Sequence, residues 1–167
     1  MIVLAPGKLV LSGAYVVLDG APAVVSAVGL YAVADSDRRG RAAGPELREA
    51  FGTKLAPLVD TQRMRAAGQK LGVGSSAAAL VAALAADRWT SEDDATPESL
   101  ASIADDAVAA HRRAQGGGSG IDVIASTYGG VRVCRRVSDE TPAHAPAELP
   151  QGLVLEAFRC PDSASTR

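Results

Sequence analysis

The chain has 167 residues, 47% of them hydrophobic and 22% charged, with a formal net charge of −2 and no long run of Lys or Arg. This balance excludes a disordered chain and argues against a nucleic-acid surface, whose affinity comes largely from neutralising phosphates. The length suffices for one domain, and with aromatics at only 4% the core must rest on Val, Leu, Ile and Ala. The longest apolar stretch, 77–86, is too short to span a bilayer. The N-terminus has no basic leader and is broken by Pro6-Gly7, and Cys134 and Cys160 form no CxxC or Cys/His cluster. The expectation is a cytoplasmic protein with free thiols and neither membrane nor nucleic-acid partner.

The first third reads as strands. Residues 2–4, 9–12 and 15–18 are apolar and rich in Val and Leu. Asp19-Gly20 signals a turn, and 23–28 resumes the apolar run, so a hairpin is expected, with 30–35 as a further strand. Residues 36–44, with Arg38, Arg39, Arg41 and two glycines, read as an exposed loop. A short helix fits within 45–58, and an extended segment fits 59–64. A glycine-rich loop over 70–76 opens onto an alanine-rich helix, 77–87. Residues 89–95 read as polar linker. Thr96 is placed to cap a helix that has Pro97 first, Glu98 in its opening turn, and Arg112 and Arg113 at its end. A second glycine-rich loop, 115–120, runs into 121–127. Gly129-Gly130 is a turn, 131–137 a half-exposed strand, 138–151 a loop and 153–158 a final strand. Strands first, then mixed helices and strands, favour an α+β domain over a doubly wound sheet.

Three segments carry chemistry. In Lys70-Leu71-Gly72-Val73-Gly74-Ser75-Ser76-Ala77-Ala78 the glycines let the backbone curl closely around a ligand, and the helix that follows offers unpaired amides and a partial positive charge. That is an anion site, most often for phosphate, with serine hydroxyls within reach of a phosphate-bound metal. The alternative is a glycine loop serving tight helix packing. No GxxxxGK[ST] occurs, so this is not a P-loop. In Gln115-Gly116-Gly117-Gly118-Ser119-Gly120-Ile121-Asp122, a flexible linker would continue into polar sequence, whereas this loop meets Ile121-Asp122-Val123-Ile124. An ordered loop presenting Asp122 is the better reading. The carboxylate either accepts a proton from a substrate hydroxyl or caps the helix. In the third segment, Ala5 to Tyr15, Lys8 stands alone among apolar residues. It is either an exposed turn lysine or a partner for a phosphate or for Asp122.

Taken together and in this order, Pro6-Gly7-Lys8 with Gly13-Ala14-Tyr15, Gly72-Val73-Gly74-Ser75-Ser76-Ala77-Ala78, and Gly118-Ser119-Gly120-Ile121-Asp122 resemble the GHMP kinases (galacto-, homoserine, mevalonate and phosphomevalonate kinases). The resemblance covers nearly the whole chain. Lys70-Leu71, the Gln115-to-Asp122 segment and Asp162-Ser163-Ala164-Ser165-Thr166 are most similar to the phosphomevalonate kinase branch.

The resemblance implies an N-terminal domain like ribosomal protein S5 domain 2, with a left-handed βαβ arrangement, over residues 1–167. A C-terminal ferredoxin-like domain would be absent or truncated, leaving the activity of the chain alone in question and a C-terminal half or a second copy as partner. It implies ATP and Mg²⁺ as cofactors and phosphomevalonate or mevalonate as the small-molecule substrate. Lys70, Gly72, Val73, Gly74, Ser75, Ser76 and Ala77 would hold the nucleotide, with Ser76 at the metal. Asp122 would be the base or orienting carboxylate for the attacking oxygen, and Lys8 would lie beside it and the transferred phosphoryl group. Tyr15, Ser119 and Gly120 would line the acceptor pocket. Mevalonate kinases carry a metal-binding glutamate where His111 stands here. Neutral imidazole is a poor Mg²⁺ ligand, so His111 either contacts the acceptor or packs at the helix end.

Overall fold

In the computed structural model, residues 1–138 and 140–158 are described. Cys160 and the 162–166 segment lie outside them. The architecture is one antiparallel sheet covered on one side by helices. Strand β1 (Ile2–Ser12) runs unbroken through Pro6-Gly7 and pairs with the 19-residue β2 (Pro22–Gly40). On its other edge β2 takes β3 (Ala56–Asp60) at residues 33–40 and β6 (Val131–Arg135) at residues 22–26. Strand β7 (Ala143–Ala147) pairs outside β6. The two-residue strands β4 (Arg65–Ala66) and β5 (Gln69–Lys70) make a separate small hairpin.

The helices are α1 (Pro45–Phe51), α2 (Ser75–Arg88), α3 (Pro97–Gln115) and α4 (Ile121–Tyr128). Helix α2 lies between β1, β2 and β3 on one side and α1, α3 and α4 on the other. Surrounded on all sides, it is apolar nearly all round, with Ala77, Ala78, Leu80, Ala82 and Ala83 fully buried. Its alanines let neighbouring backbones approach closely. Helix α3 starts where expected, with the Thr96 hydroxyl accepting from Ser99 N–H at 3.2 Å. Trp89 is tied to it by Nε1–H donating to Ser99 Oγ at 2.6 Å. No helix among the described residues is long and apolar enough to cross a membrane.

Four expectations are corrected. Residues 15–18 form no strand. Val16–Asp19 is a 3₁₀ turn closed by Gly20 in a left-handed conformation, and it buries only Val17. The β1–β2 hairpin exists, but residues 9–12 supply its first arm. Residues 36–40 are strand rather than loop, because β3 offers a pairing edge and Arg39 pairs with Asp87 on α2 at 2.7 Å. Their polarity marked exposure and not irregularity. The presumed loop 138–151 contains β7, and residues 153–158 are unpaired and exposed rather than a strand.

Candidate active site

A bulge in β2, where Gly29 and Leu30 have no partner on β1, is the first positioning device. Register shifts between Pro6 and Gly7, so Lys8 pairs with Ala27 while Pro6 pairs with Tyr31. There the strand touches the glycine loop. Lys8 N–H donates to Val73 O at 2.8 Å. A Cβ on Gly7 would stand 2.6 Å from that same carbonyl, so only glycine admits the approach. The Lys8 stem then crosses Gly74, where a Cβ would lie 2.9 Å from Lys8 Cγ. Lys8 is thus a strand lysine laid along the loop, not an exposed turn lysine.

Gly74, at φ 72°, is the N-cap of α2 and makes no side-chain capping bond. The first intrahelical bond runs from Ala78 N–H to Gly74 O at 3.0 Å, so the amides of Ser75, Ser76 and Ala77 precede the helical ladder. Open amides, the helix dipole, the Lys8 stem and Lys70 Nζ, 3.5 Å from Ser76 Oγ, gather donors and positive charge here. Ala77 and Val73 are buried, so their side chains serve the core and only their backbone can face a ligand.

The second glycine loop is ordered. Gly116 ends α3 in a left-handed conformation, and Gly117 N–H donates to Arg112 O at 2.9 Å. The Arg112 guanidinium donates to the carbonyls of Gly118 (3.1 Å), Ser119 (3.3 Å) and Glu140 (2.8 Å). Gly120 caps α4, putting Asp122 in its first turn, where the dipole favours a carboxylate. Asp122 Oδ1 accepts from Val123 N–H at 3.1 Å, while Oδ2 faces His111 Nε2 at 3.4 Å. His111 is only 3% exposed, and its Nδ1 meets no partner among the described residues. Gln115 Nε2 lies 3.1 Å from His111 Nε2 and donates to Glu46 Oε1 at 3.3 Å.

Two clefts flank this apparatus. The larger, about 790 Å³, is bordered by Lys8, Tyr15, His111, Ser119, Gly120 and Asp122. It unites every residue expected at the acceptor side. Within it Asp122 faces His111, and among the described residues no ion pair joins it to Lys8. The smaller, about 370 Å³, is bordered by Lys70, Ser75, Ser76, Glu46, Thr61 and Arg41. Sequence reasoning missed Arg112, Gln115 and Glu46 as site residues. Arg112 carried one legible signal, a basic residue in a final helical turn beside a glycine loop. Glu46 had none, since it arrives from 69 residues away. Among the described residues no cluster of three His, Cys, Asp or Glu is arranged to hold a metal ion.

The sequence model of the GHMP kinases N terminal domain matches residues 46–130, half of the chain, and the chain belongs to that family. Among solved structures, the fold is similar to a Lin0012 protein from Listeria innocua, with a TM-score of 0.71 and 20% identity over 90% of this chain and 58% of that one. It is similar to Streptococcus pneumoniae phosphomevalonate kinase in complex with phosphomevalonate and AMPPNP (TM-score 0.63, 16% identity, 83% of this chain and 50% of that one). It is also similar to a D-glycero-D-manno-heptose 1-phosphate kinase from Bacteroides thetaiotaomicron (TM-score 0.64, 15% identity, 90% and 60%). At these identities the likeness is one of fold. The chain spans 50–60% of the length of these three structures. A comparison with curated protein sequences finds no match.

Proposed function

We propose that this chain is the ATP-binding domain, over residues 1–167, of a cytoplasmic small-molecule kinase whose acceptor is (R)-5-phosphomevalonate. The observation that carries the reading is the Gly72–Ser76 loop with its open helix N-terminus, lying between two clefts. Lys8, which crosses Gly74, borders the larger; Ser75 and Ser76 border the smaller. In this reading the smaller cleft takes the nucleoside end of ATP, the loop amides hold its phosphates, and the larger cleft takes the acceptor. Asp122 accepts the proton of the attacking hydroxyl, and Lys8 offsets charge on the transferred phosphoryl group. Positioning and charge stabilisation are what such a transfer requires of a protein.

With no such cluster among the described residues, Mg²⁺ would be held by the nucleotide phosphates with the Ser76 hydroxyl contributing one oxygen. When bound it neutralises phosphate charge. The exposed apolar side chains Leu153, Val154, Leu155 and Phe158 support a docking partner at this end, either a C-terminal half or a second copy. Mevalonate is the alternative acceptor. A non-catalytic nucleotide-binding half-domain is the alternative of another kind.

Coupled ADP release by the chain, with ATP, Mg²⁺ and each acceptor, tests the reading, with ATP binding followed by calorimetry. Stimulation by phosphomevalonate alone is expected, and stimulation by mevalonate alone reassigns the acceptor. ATP binding without turnover on either acceptor would mean that a C-terminal half, or a partner supplying it, is required. No ATP binding refutes the assignment. Asp122→Asn should lower turnover about 10²- to 10⁴-fold with ATP affinity little changed; unchanged turnover would leave Asp122 as a helix-capping residue.

A further inference from the structure

Glu46 borders the smaller cleft with Ser75 and Ser76, yet it is only 8% exposed. Its two oxygens differ. Oε1 accepts from Gln115 Nε2 at 3.3 Å. Oε2 lies on the side of Gly44, 3.8 Å from where a Cβ there would stand, and Gly44 borders the same cleft. Oε2 accepts no hydrogen bond among the described residues. The buried side-chain atoms left without a partner there are His111 Nδ1, Ser126 Oγ and His144 Nδ1, and Glu46 Oε2 is not one of them. It is therefore reached from the cleft rather than sealed in the core.

No cation of the protein answers this carboxylate. Arg41, Arg65 and Lys70 border the cleft, but among the described residues none of them forms an ion pair with Glu46. The other carboxylate of α1, Glu49, has Arg113 at 3.1 Å. A largely buried carboxylate is costly without a partner. Beside the open amides at the start of α2 it would also repel the phosphate they attract. Two anions share a cleft when a cation stands between them. Magnesium is commonly held by one or two carboxylates together with substrate phosphates, not by a cage of protein ligands. One carboxylate, one serine hydroxyl and a polyphosphate are such a donor set, and it needs no cluster of acidic residues.

We propose that Glu46 is the protein carboxylate that receives the nucleotide's Mg²⁺, alongside the Ser76 hydroxyl, while Gln115 holds its other oxygen. This rests on the nucleotide site proposed above and adds a selection to it. The metal arrives with the phosphates, so Glu46 favours the magnesium complex of a nucleoside triphosphate over the free anion.

The test is calorimetry of ATP binding to the 167-residue chain and to Glu46→Gln, each in Mg²⁺ and in EDTA. Glutamine has the same shape, keeps an oxygen for the Gln115 amide and turns an NH₂ toward the cleft. Wild type should prefer the magnesium complex, and the variant should lose about 10- to 100-fold of that preference. Part of the loss should come from tighter binding of metal-free ATP, because a repelling charge has become a donor. A purely structural role would move both affinities together, so an unchanged preference would overturn the proposal. If Glu46→Gln does not fold, wild type still decides, since equal affinity in Mg²⁺ and in EDTA would overturn it. Absence of ATP binding by wild type in both conditions would instead refute the nucleotide site itself, and the role of Glu46 with it.

Discussion

Gly7→Ala tests whether strand β1 and the glycine loop are joined as tightly as the geometry indicates. The new Cβ would lie 2.6 Å from Val73 O and 2.8 Å from Met64 Cε, against an ordinary carbon contact of about 3.5–4.0 Å. Met64 is fully buried and Val73 O is held by Lys8 N–H, so neither retreats freely. Overpacking of this kind costs about 1–3 kcal/mol. Loss of the Lys8–Val73 hydrogen bond adds about 0.5–1.5 kcal/mol. The expected destabilisation is about 1.5–4.5 kcal/mol. Gly29→Ala is the control, since a Cβ there meets nothing within 4 Å, and its effect should stay within about 0.5 kcal/mol. Urea unfolding followed by Trp89 fluorescence measures both, with the midpoint moving and the slope unchanged. A Gly7→Ala protein as stable as wild type, or a Gly29→Ala protein equally damaged, would refute the close-approach argument.

Three further outcomes follow from packing and titration. Leu80→Ala empties a fully buried position at the centre of α2 and should cost about 2–5 kcal/mol in the same assay; a loss below 1 kcal/mol would mean that the surrounding helices collapse inward. Burial pushes the Cys134 thiol up to about 11, so in a Cys160→Ser background a disulfide reagent at pH 8 should react only after urea is added. Rapid labelling of the native protein would contradict that. Burial, and next the Arg132 charge, hold His144 below the usual histidine value. The folded state therefore binds this proton later than the unfolded state, and stability should fall as pH drops through and below about 6.5. His144→Gln should flatten the dependence of the urea midpoint on pH between 7.5 and 5.5; identical slopes would remove His144 from the acid response.

The helices were the most legible elements, for local reasons. Thr96-Pro97-Glu98 states a start, Arg112-Arg113 before Gly116 states an end, and the alanines after Ser76 leave little but helix. The glycine loops were legible as candidate sites because glycine before a helix has a direct consequence for anions. Strand limits were less so. Residues 36–40 and 143–147 look irregular in isolation and become strands only because a neighbouring edge accepts their hydrogen bonds. The apolar residues 15–18 look like a strand and become a turn because one valine alone finds a place in the core.

The residue chemistry written into the chain was enough to name its parts: an alanine-rich helix behind a glycine-serine loop, a lone lysine, a carboxylate after a second glycine loop. Which parts meet was decided in three dimensions. The β2 bulge opposite Pro6-Gly7 laid Lys8 across Gly74, α3 and α4 brought His111 to Asp122, and α1 delivered Glu46 to Gln115 across 69 residues of sequence. Side-chain chemistry and local conformational preference are properties of a few neighbouring residues and can be read along the chain. Proximity between distant segments depends on which apolar faces bury one another, and that is settled only when the whole core assembles.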